Sequence, residues 1–141
     1  MKKIIAFSVM LLTIVTACTT KQGVTTKSDN AYQTLTQNEY GGRETKSHEV
    51  ITTSAALATL YKELNIEQVP SVDFDKYNVV ALFLGQKNSG GYKIGIKSVT
   101  VDGNTATVNT EETKPSGMST MAITNPYYIA KIAKTKNVVV K

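Results

Sequence analysis

The sequence predicts an α+β protein in which a small, mainly antiparallel sheet or a partly open barrel of about seven strands packs against one helix. Three observations predict this class. Alternation of apolar and polar residues recurs through most of residues 31–141, and helical spacing is convincing in one segment only. The chain has 141 residues, of which 41% are hydrophobic, which supplies core for one small domain. We therefore expect a single domain over residues 31–141.

A hairpin and the helix open the predicted domain. Residues 32–37 alternate as a weak strand that ends before the paired glycines 41–42, and residues 48–52 form the strand expected to complete a hairpin with it. The spacing then becomes that of a helix, with Thr53 or Ser54 as the N-cap. The apolar stripe of this helix consists of Leu57, Leu60, Tyr61 and Leu64.

The middle of the domain contains the clearest strand patterns. Residues 79–84 are apolar without alternation, which predicts a central strand covered on both faces. Residues 92–96 alternate, and a change of phase at residues 97–98 predicts a bulge. The tight-turn sequence at 102–104 predicts a hairpin with the alternating residues 105–110.

The last part of the domain begins irregularly. Residues 111–125 are polar at first and then drift toward a strand pattern. Two further strands are predicted over residues 127–132 and 138–140, separated by a polar, lysine-containing turn.

The N-terminus has the pattern of a bacterial lipoprotein signal. Residues 1–3 carry two lysines, and the apolar run 4–15 has the length of a signal-peptide core, shorter than the roughly 20 residues of a membrane-spanning helix. The sequence Val15-Thr16-Ala17-Cys18 then resembles a lipobox. We expect residues 1–17 to be removed and Cys18 to carry a covalent lipid, the only attached group that the sequence predicts.

A lipidated Cys18 would tether the domain to a membrane. Two or three acyl chains bind a bilayer far more strongly than one, because each buried CH₂ contributes about 0.8 kcal/mol. Residues 19–30 are polar and resemble a flexible tether, so residues 18–30 would hold the domain in the cell envelope. Thr19 is not the aspartate that commonly retains lipoproteins at the inner membrane, so we expect the outer membrane in a Gram-negative organism and the outer leaflet of the only membrane in a Gram-positive one.

Composition narrows the chemistry of the chain. One cysteine and one histidine, His48, exclude an intramolecular disulfide framework and disfavour a Cys/His metal site or a nucleophilic dyad. Asp73 and Asp75 lie on one side of their segment, but no further oxygen ligands for a cation follow them. The net charge of +5 comes from scattered lysines that are not interleaved with aromatic residues, so no nucleic-acid partner is expected. We predict neither a catalytic residue nor a metal.

Two loops are the candidates for binding another protein. Their residues are Gly90, Gly91 and Tyr92 in the first loop, and Asn125, Pro126, Tyr127 and Tyr128 in the second. The glycines indicate a turn that needs positive φ or, alternatively, a place where the backbone of another chain can approach. A proline-fixed corner costs little ordering entropy, and tyrosine is enriched at binding hot spots. Alternatively, the tyrosines fill the open end of the sheet and the proline shapes a turn.

Residues 69–139 carry a set of features whose order and separation are informative together. The set consists of Pro70, Val72-Asp73-Phe74, the apolar strand 79–85, the turn 89–92, Ile94, Ile96, Pro115 and residues 124–127. In this order the segment resembles the C-terminal domain of the PrcB-type protease-complex accessory proteins. The resemblance implies a non-catalytic protein that binds and stabilises a secreted or surface protease, and a lipoprotein signal in front of such a domain suits that family.

Two other functions are retained as alternatives. A proteinase inhibitor would also bind a protease, but it would suppress the protease instead of preserving its activity. An envelope module that binds small molecules or glycans would need a concave aromatic site, for which 7% aromatic residues and the lack of tryptophan are unfavourable.

Overall fold

The computed structural model of the chain describes residues 31–141, so the predicted signal peptide, the lipidation of Cys18 and the tether lie outside the described residues. The secondary-structure elements are β1 (Tyr32–Asn38), β2 (Ser47–Ile51), α1 (Ser54–Glu63), β3 (Tyr77–Phe83), β4 (Lys93–Asp102), β5 (Thr105–Thr113), β6 (Tyr127–Ala133) and β7 (Asn137–Val140).

The elements form three layers. The helix covers one face of a four-stranded sheet of order β1-β6-β3-β2, and a three-stranded sheet of order β4-β5-β7 covers the other face. All strand pairs are antiparallel except β5 and β7. Seven strands in two mostly antiparallel, unclosed sheets with one helix confirm the predicted class.

Strand β3 lies inside the four-stranded sheet, as its continuous apolar sequence predicts. Val80 and Leu82 face the three-stranded sheet, whereas Val79, Ala81 and Phe83 face the helix. All five side chains are almost completely buried. The strand therefore contributes to both hydrophobic cores.

The helix begins and ends where its sequence predicts. Thr53 is the N-cap, and its Oγ1 accepts a hydrogen bond of 3.2 Å from the backbone N–H of Ala56. The side chains of Leu57, Leu60, Tyr61 and Leu64 are buried against the four-stranded sheet. After Leu64 the backbone of Asn65 adopts a φ of 55°, which ends the helix.

The predicted hairpin between the first two strands is wrong. Strand β1 pairs with β6, and β2 pairs with β3, so the two strands lie at opposite edges of the sheet. The physical reason lies in burial. β3 and β6 are apolar on both faces and occupy the interior of the sheet, whereas the more polar β1 and β2 can each leave one edge exposed to water.

The hairpin between β4 and β5 is confirmed, together with its bulge between Ile96 and Ser98. Strand β7 then adds to β5 in parallel, and the backbone of Lys141 continues the pairing through bonds to Val108 and Thr110. The drift toward a strand before Asn125 amounts to a single bridge at Thr124. Most side chains of residues 114–123 are exposed, so no buried face imposes the alternation of a strand on this segment.

Within residues 31–141, no helix combines the length and the apolar character needed to cross a bilayer.

Candidate interaction surface

The two loops singled out in the sequence lie next to each other at one end of the molecule. We call residues 86–92, between β3 and β4, and residues 114–126, between β5 and β6, the loop pair. Lys87 and Thr124 exchange two backbone hydrogen bonds of 2.8 and 2.9 Å. The Thr124 hydroxyl donates to the Ser89 carbonyl at 2.9 Å, and Thr124 is fully buried. These bonds hold the two loops together as one surface.

The glycines of the first loop are needed where the second loop packs against it. Gly91 has a φ of +84°, which an L side chain rarely adopts, and a Cβ built on it would lie 2.8 Å from the Cβ of Pro115. A Cβ on Gly90 would lie 2.5 Å from Oγ1 of Thr120, and its N–H donates to the Thr120 carbonyl at 3.1 Å. The positive φ of Gly91 agrees with the turn that the sequence predicts, and the segment that approaches both glycines is residues 115–120 of the same chain.

Tyr92 is half-buried and leans on the core between the two sheets. The ammonium group of Lys87 lies 5.7 Å from the centre of its ring, within the range of a cation–π contact. Part of the ring is thus accessible at the base of the loop pair.

Asn125 connects the loop pair to the segment that follows β1. Its backbone N–H donates to the Glu39 carbonyl at 3.0 Å, and its carbonyl accepts from Gly42 at 2.9 Å. Its side chain is half-buried, and the amide donates to the Arg43 carbonyl at 3.5 Å. The corner is consequently fixed from two sides by main-chain bonds.

Three residues predicted for the contact surface are instead part of the interior. Pro126 is buried, and Tyr127 and Tyr128 are only 5% and 6% exposed. The ring of Tyr127 packs on the helix side of the sheet, 6.5 Å from the ring of Phe83. Tyr128 faces the other core, and its hydroxyl is hydrogen-bonded to that of Thr34.

This burial agrees with the alternative in which the tyrosines fill the end of the sheet, and its physical reason is strand alternation. Tyr127 and Tyr128 begin β6, whose two faces are both covered, so successive side chains enter opposite cores. Burial also raises the pKa of Tyr128 above its ordinary value, with only a smaller opposing effect from the hydrogen bond to Thr34. These tyrosines therefore support the loop pair from below and offer no exposed ring for a partner.

The most exposed apolar side chains of the loop pair are not among the residues that the sequence predicts for binding. Met118 and Met121 are fully exposed, and Ile123 is 63% exposed. The available signal was a pair of methionines in a polar segment, next to Gly117, with neither helical nor strand periodicity to bury them. Exposed apolar side chains, flexible methionines above all, are typical of protein-binding surfaces.

Other polar groups considered in the sequence have ordinary structural contacts. His48 is exposed on the edge strand β2, and Glu49 beside it accepts a 2.8 Å bond from Arg43. Asp73 accepts from the backbone N–H of Asp75 at 3.1 Å and lies 3.3 Å from the ammonium group of Lys76. Across residues 31–141, no group of His, Cys, Asp or Glu side chains is arranged to hold a metal ion.

Residues 78–133 match the family model described as PrcB C-terminal. The matched segment extends from β3 to the end of β6, includes the whole loop pair and amounts to less than half of the chain. The match confirms the resemblance found in the sequence for this segment, and this family suggests a protease-complex accessory role. No curated protein and no solved structure matches the chain.

Proposed function

We propose that this protein is a non-catalytic accessory subunit that binds and stabilises a protease outside the cytoplasmic membrane. The observation that carries the proposal is the match of residues 78–133 to the PrcB C-terminal family. The same residues build the loop pair, which is the surface through which we propose that the protease is bound.

The physical properties of the loop pair support this role. Met118, Met121 and Ile123 present apolar area to water, and burying such area is worth about 25 cal/mol per Å². The unbranched, flexible side chains of Met118 and Met121 can adapt to a partner surface. Because the bonds of Thr124 already restrain the loop, binding would order little additional backbone.

The proposed location rests on the first 30 residues of the sequence. We propose that the mature chain begins at a lipidated Cys18 and that residues 19–30 hold the domain near the membrane, on the outer membrane if the organism is Gram-negative. The covalent lipid is the only attached group in this proposal, which includes no cofactor, metal or nucleic acid.

The proposal is tested by capture from the native envelope. The chain as its cells produce it, purified in mild detergent and immobilised, should recover a protease. The double variant Met118→Ser/Met121→Ser should recover at least tenfold less, because it removes exposed apolar area without touching the core. Val101→Ser is the matched control, since Val101 is also exposed but lies at the β4–β5 turn.

The outcomes separate the role from its surface. Recovery of no protease by the unaltered chain would contradict the accessory role. Recovery of equal amounts by the unaltered chain and the double variant would retain the role and exclude Met118 and Met121 as its contact.

An inhibitor is the second candidate because Met118 and Met121 are fully exposed on a loop that main-chain hydrogen bonds restrain, which are properties that a segment entering a cleft would need. The two functions differ in the sign of their effect on a recovered protease. An accessory subunit at saturation should preserve peptidase activity and lengthen its half-life, whereas an inhibitor should suppress activity in proportion to occupancy.

A further inference from the structure

The two sheets leave a gap between the outer edges of β1 and β4. Cavities of about 330 and 290 Å³ lie in this gap and share the lining residues Gln37, Lys93 and Ile94. We call them together the β1–β4 groove. Among residues 31–141, no strand pairs with either edge that borders it.

The backbone of β4 is oriented to form hydrogen bonds across this groove. Thr110 is the β5 residue opposite Ile96. Its backbone N–H donates to the Lys141 carbonyl and therefore points away from β4. Ile96 is therefore in a non-hydrogen-bonded pair with β5, and its carbonyl accepts a 2.7 Å bond from the Tyr32 hydroxyl on the groove side. By alternation, the backbone N–H and C=O of Ile94 also face the groove.

The facing edge of β1 lacks the features that usually prevent strand addition. Its sequence contains no charged residue and no proline, whereas exposed edges are commonly protected by lysine or proline. The bulge between Thr34 and Thr36 changes the phase of the strand. Leu35 consequently packs in the helix-side core while Gln37 lines the groove.

The groove also has an apolar floor and a polar rim. Ile94 and Ile96 line its floor, to which Tyr128 adds only its 6% exposed fraction, and Glu111 and Lys93 stand at its rim. An added strand would place every second side chain on that floor and the others in water, which is the alternation that a strand in this position requires.

We infer that the β1–β4 groove binds an extended segment of a partner polypeptide as an additional strand. Such binding obtains affinity from backbone hydrogen bonds and specificity from alternate side chains. The groove opens beside Glu39 and Pro126 and is thus continuous with the loop pair. With Glu39 and Glu111 against Lys93, it favours a segment whose outward side chains are neutral or basic. The inference rests on the proposed function only in one respect, namely that the bound segment belongs to a protease.

The test uses a synthetic peptide of the length of β1 that alternates threonine and valine and ends in lysine. Added to the purified chain as its cells produce it, the peptide should slow hydrogen exchange of the Ile94 and Ile96 amides at least tenfold. The same peptide N-methylated at alternate amides should leave both exchange rates unchanged. Gln37→Lys should weaken the effect about tenfold by adding a cation to the groove.

Gln33→Lys is the matched control, because Gln33 belongs to the same strand but lines a cavity on the Tyr77 side. Unchanged exchange at Ile94 and Ile96 with the unmethylated peptide would overturn the inference. So would slow exchange at both amides in the free chain, because another part of the chain, such as residues 19–30, would then fill the groove. The peptide test contains no protease, so its result can be interpreted even if the capture experiment recovers no protease.

Discussion

The hydroxyl of Tyr61 is buried in the helix-side core, where no group of residues 31–141 forms a hydrogen bond with it. An unsatisfied buried hydroxyl costs free energy. Tyr61→Phe should therefore either raise the free energy of unfolding at pH 7 or lower it by less than about 1 kcal/mol. A loss of several kcal/mol in urea unfolding would show that the hydroxyl has a stabilising partner.

Burial raises the pKa of Tyr61 to about 12 from 10.0, with a smaller contribution from Tyr127. The folded state therefore holds this proton more tightly than the unfolded state, and stability is present below pH 10 and declines as the pH rises toward 12. The decline attributable to Tyr61 is on the order of 2 kcal/mol, and Tyr61→Phe should remove it. Urea titrations with the exposed Tyr40→Phe as the control measure this difference.

Arg43 connects three elements through one guanidinium group. It donates to both oxygens of Glu63 at 2.8 and 3.0 Å and to Glu49 at 2.8 Å, and it lies 4.3 Å from the centre of the Phe83 ring. We expect Arg43→Met to destabilise the protein by about 1–2 kcal/mol at pH 7.

The same contact predicts an acid dependence. The hydrogen bond from Arg43 lowers the pKa of Glu63 below 4.5, against a smaller effect of burial. The stabilisation of the folded state by the Arg43–Glu63 contact is thus present above pH 4.5 and is lost as the pH falls through the lowered pKa of Glu63. The difference in urea midpoint between wild type and Arg43→Met should narrow on acidification. A constant difference would contradict this, and Lys97→Met, which removes a cation from an exposed position of β4, is the control.

The lipobox prediction concerns a single residue and is testable independently of the fold. Cys18→Ala should abolish incorporation of radiolabelled palmitate, because it removes the sulfur that would carry the diacylglyceryl group. Labelling retained in this variant would exclude Cys18 as the anchor.

At the scale of elements, the loop pair depends on Gly91. Gly91→Ala should destabilise the protein by about 1–3 kcal/mol, since it combines a strained positive φ with a clash against Pro115. The loosened loop should also be cut faster by trypsin after Lys114. Gly117→Ala separates the two causes, because Gly117 has a φ of +94° but open space around it. Equal effects of the two substitutions would exclude packing as the cause.

The type and position of each element can be predicted from sequence far better than the strands with which it pairs. The stripe of α1 and the phase change at residues 97–98 are local patterns, and local hydrogen bonding or alternation suffices to explain them. The pairing of β1 with β6 joins residues that are almost a hundred positions apart, and no local pattern encodes it. It follows instead from which strands must be covered on both faces.

The candidate site divides in the same way. Gly91 was recognisable because a positive φ is a local requirement of the backbone. The burial of Tyr127 and the exposure of Met118 depend on which layers surround β6 and on how far the second loop projects. Both are properties of the assembled fold, and residue type alone does not encode them.

For the whole molecule, we expect β3 to make the two cores unfold as one cooperative unit, because it contributes side chains to both. Leu82→Ala removes a buried side chain between the sheets and should lower the free energy of unfolding by about 2–5 kcal/mol. Because Phe83, the next residue, packs against the helix, the helical circular dichroism and the tyrosine fluorescence should lose their native signals in a single transition. Separate transitions for the two signals would show that the cores unfold independently.

Strand β1 also determines how the molecule responds to a pulling force. Its first residue, Tyr32, lies beside Ile132, and its last, Asn38, lies beside Tyr127 near the loop pair. Tension between Ala31 and a partner held at the loop pair would act along the strand and slide β1 past β6. The backbone hydrogen bonds between β1 and β6 would then be loaded together in shear instead of breaking one after another. An attachment at the N-terminal side and a contact at the opposite end, as proposed above, would thus load this sheet along its mechanically most resistant direction.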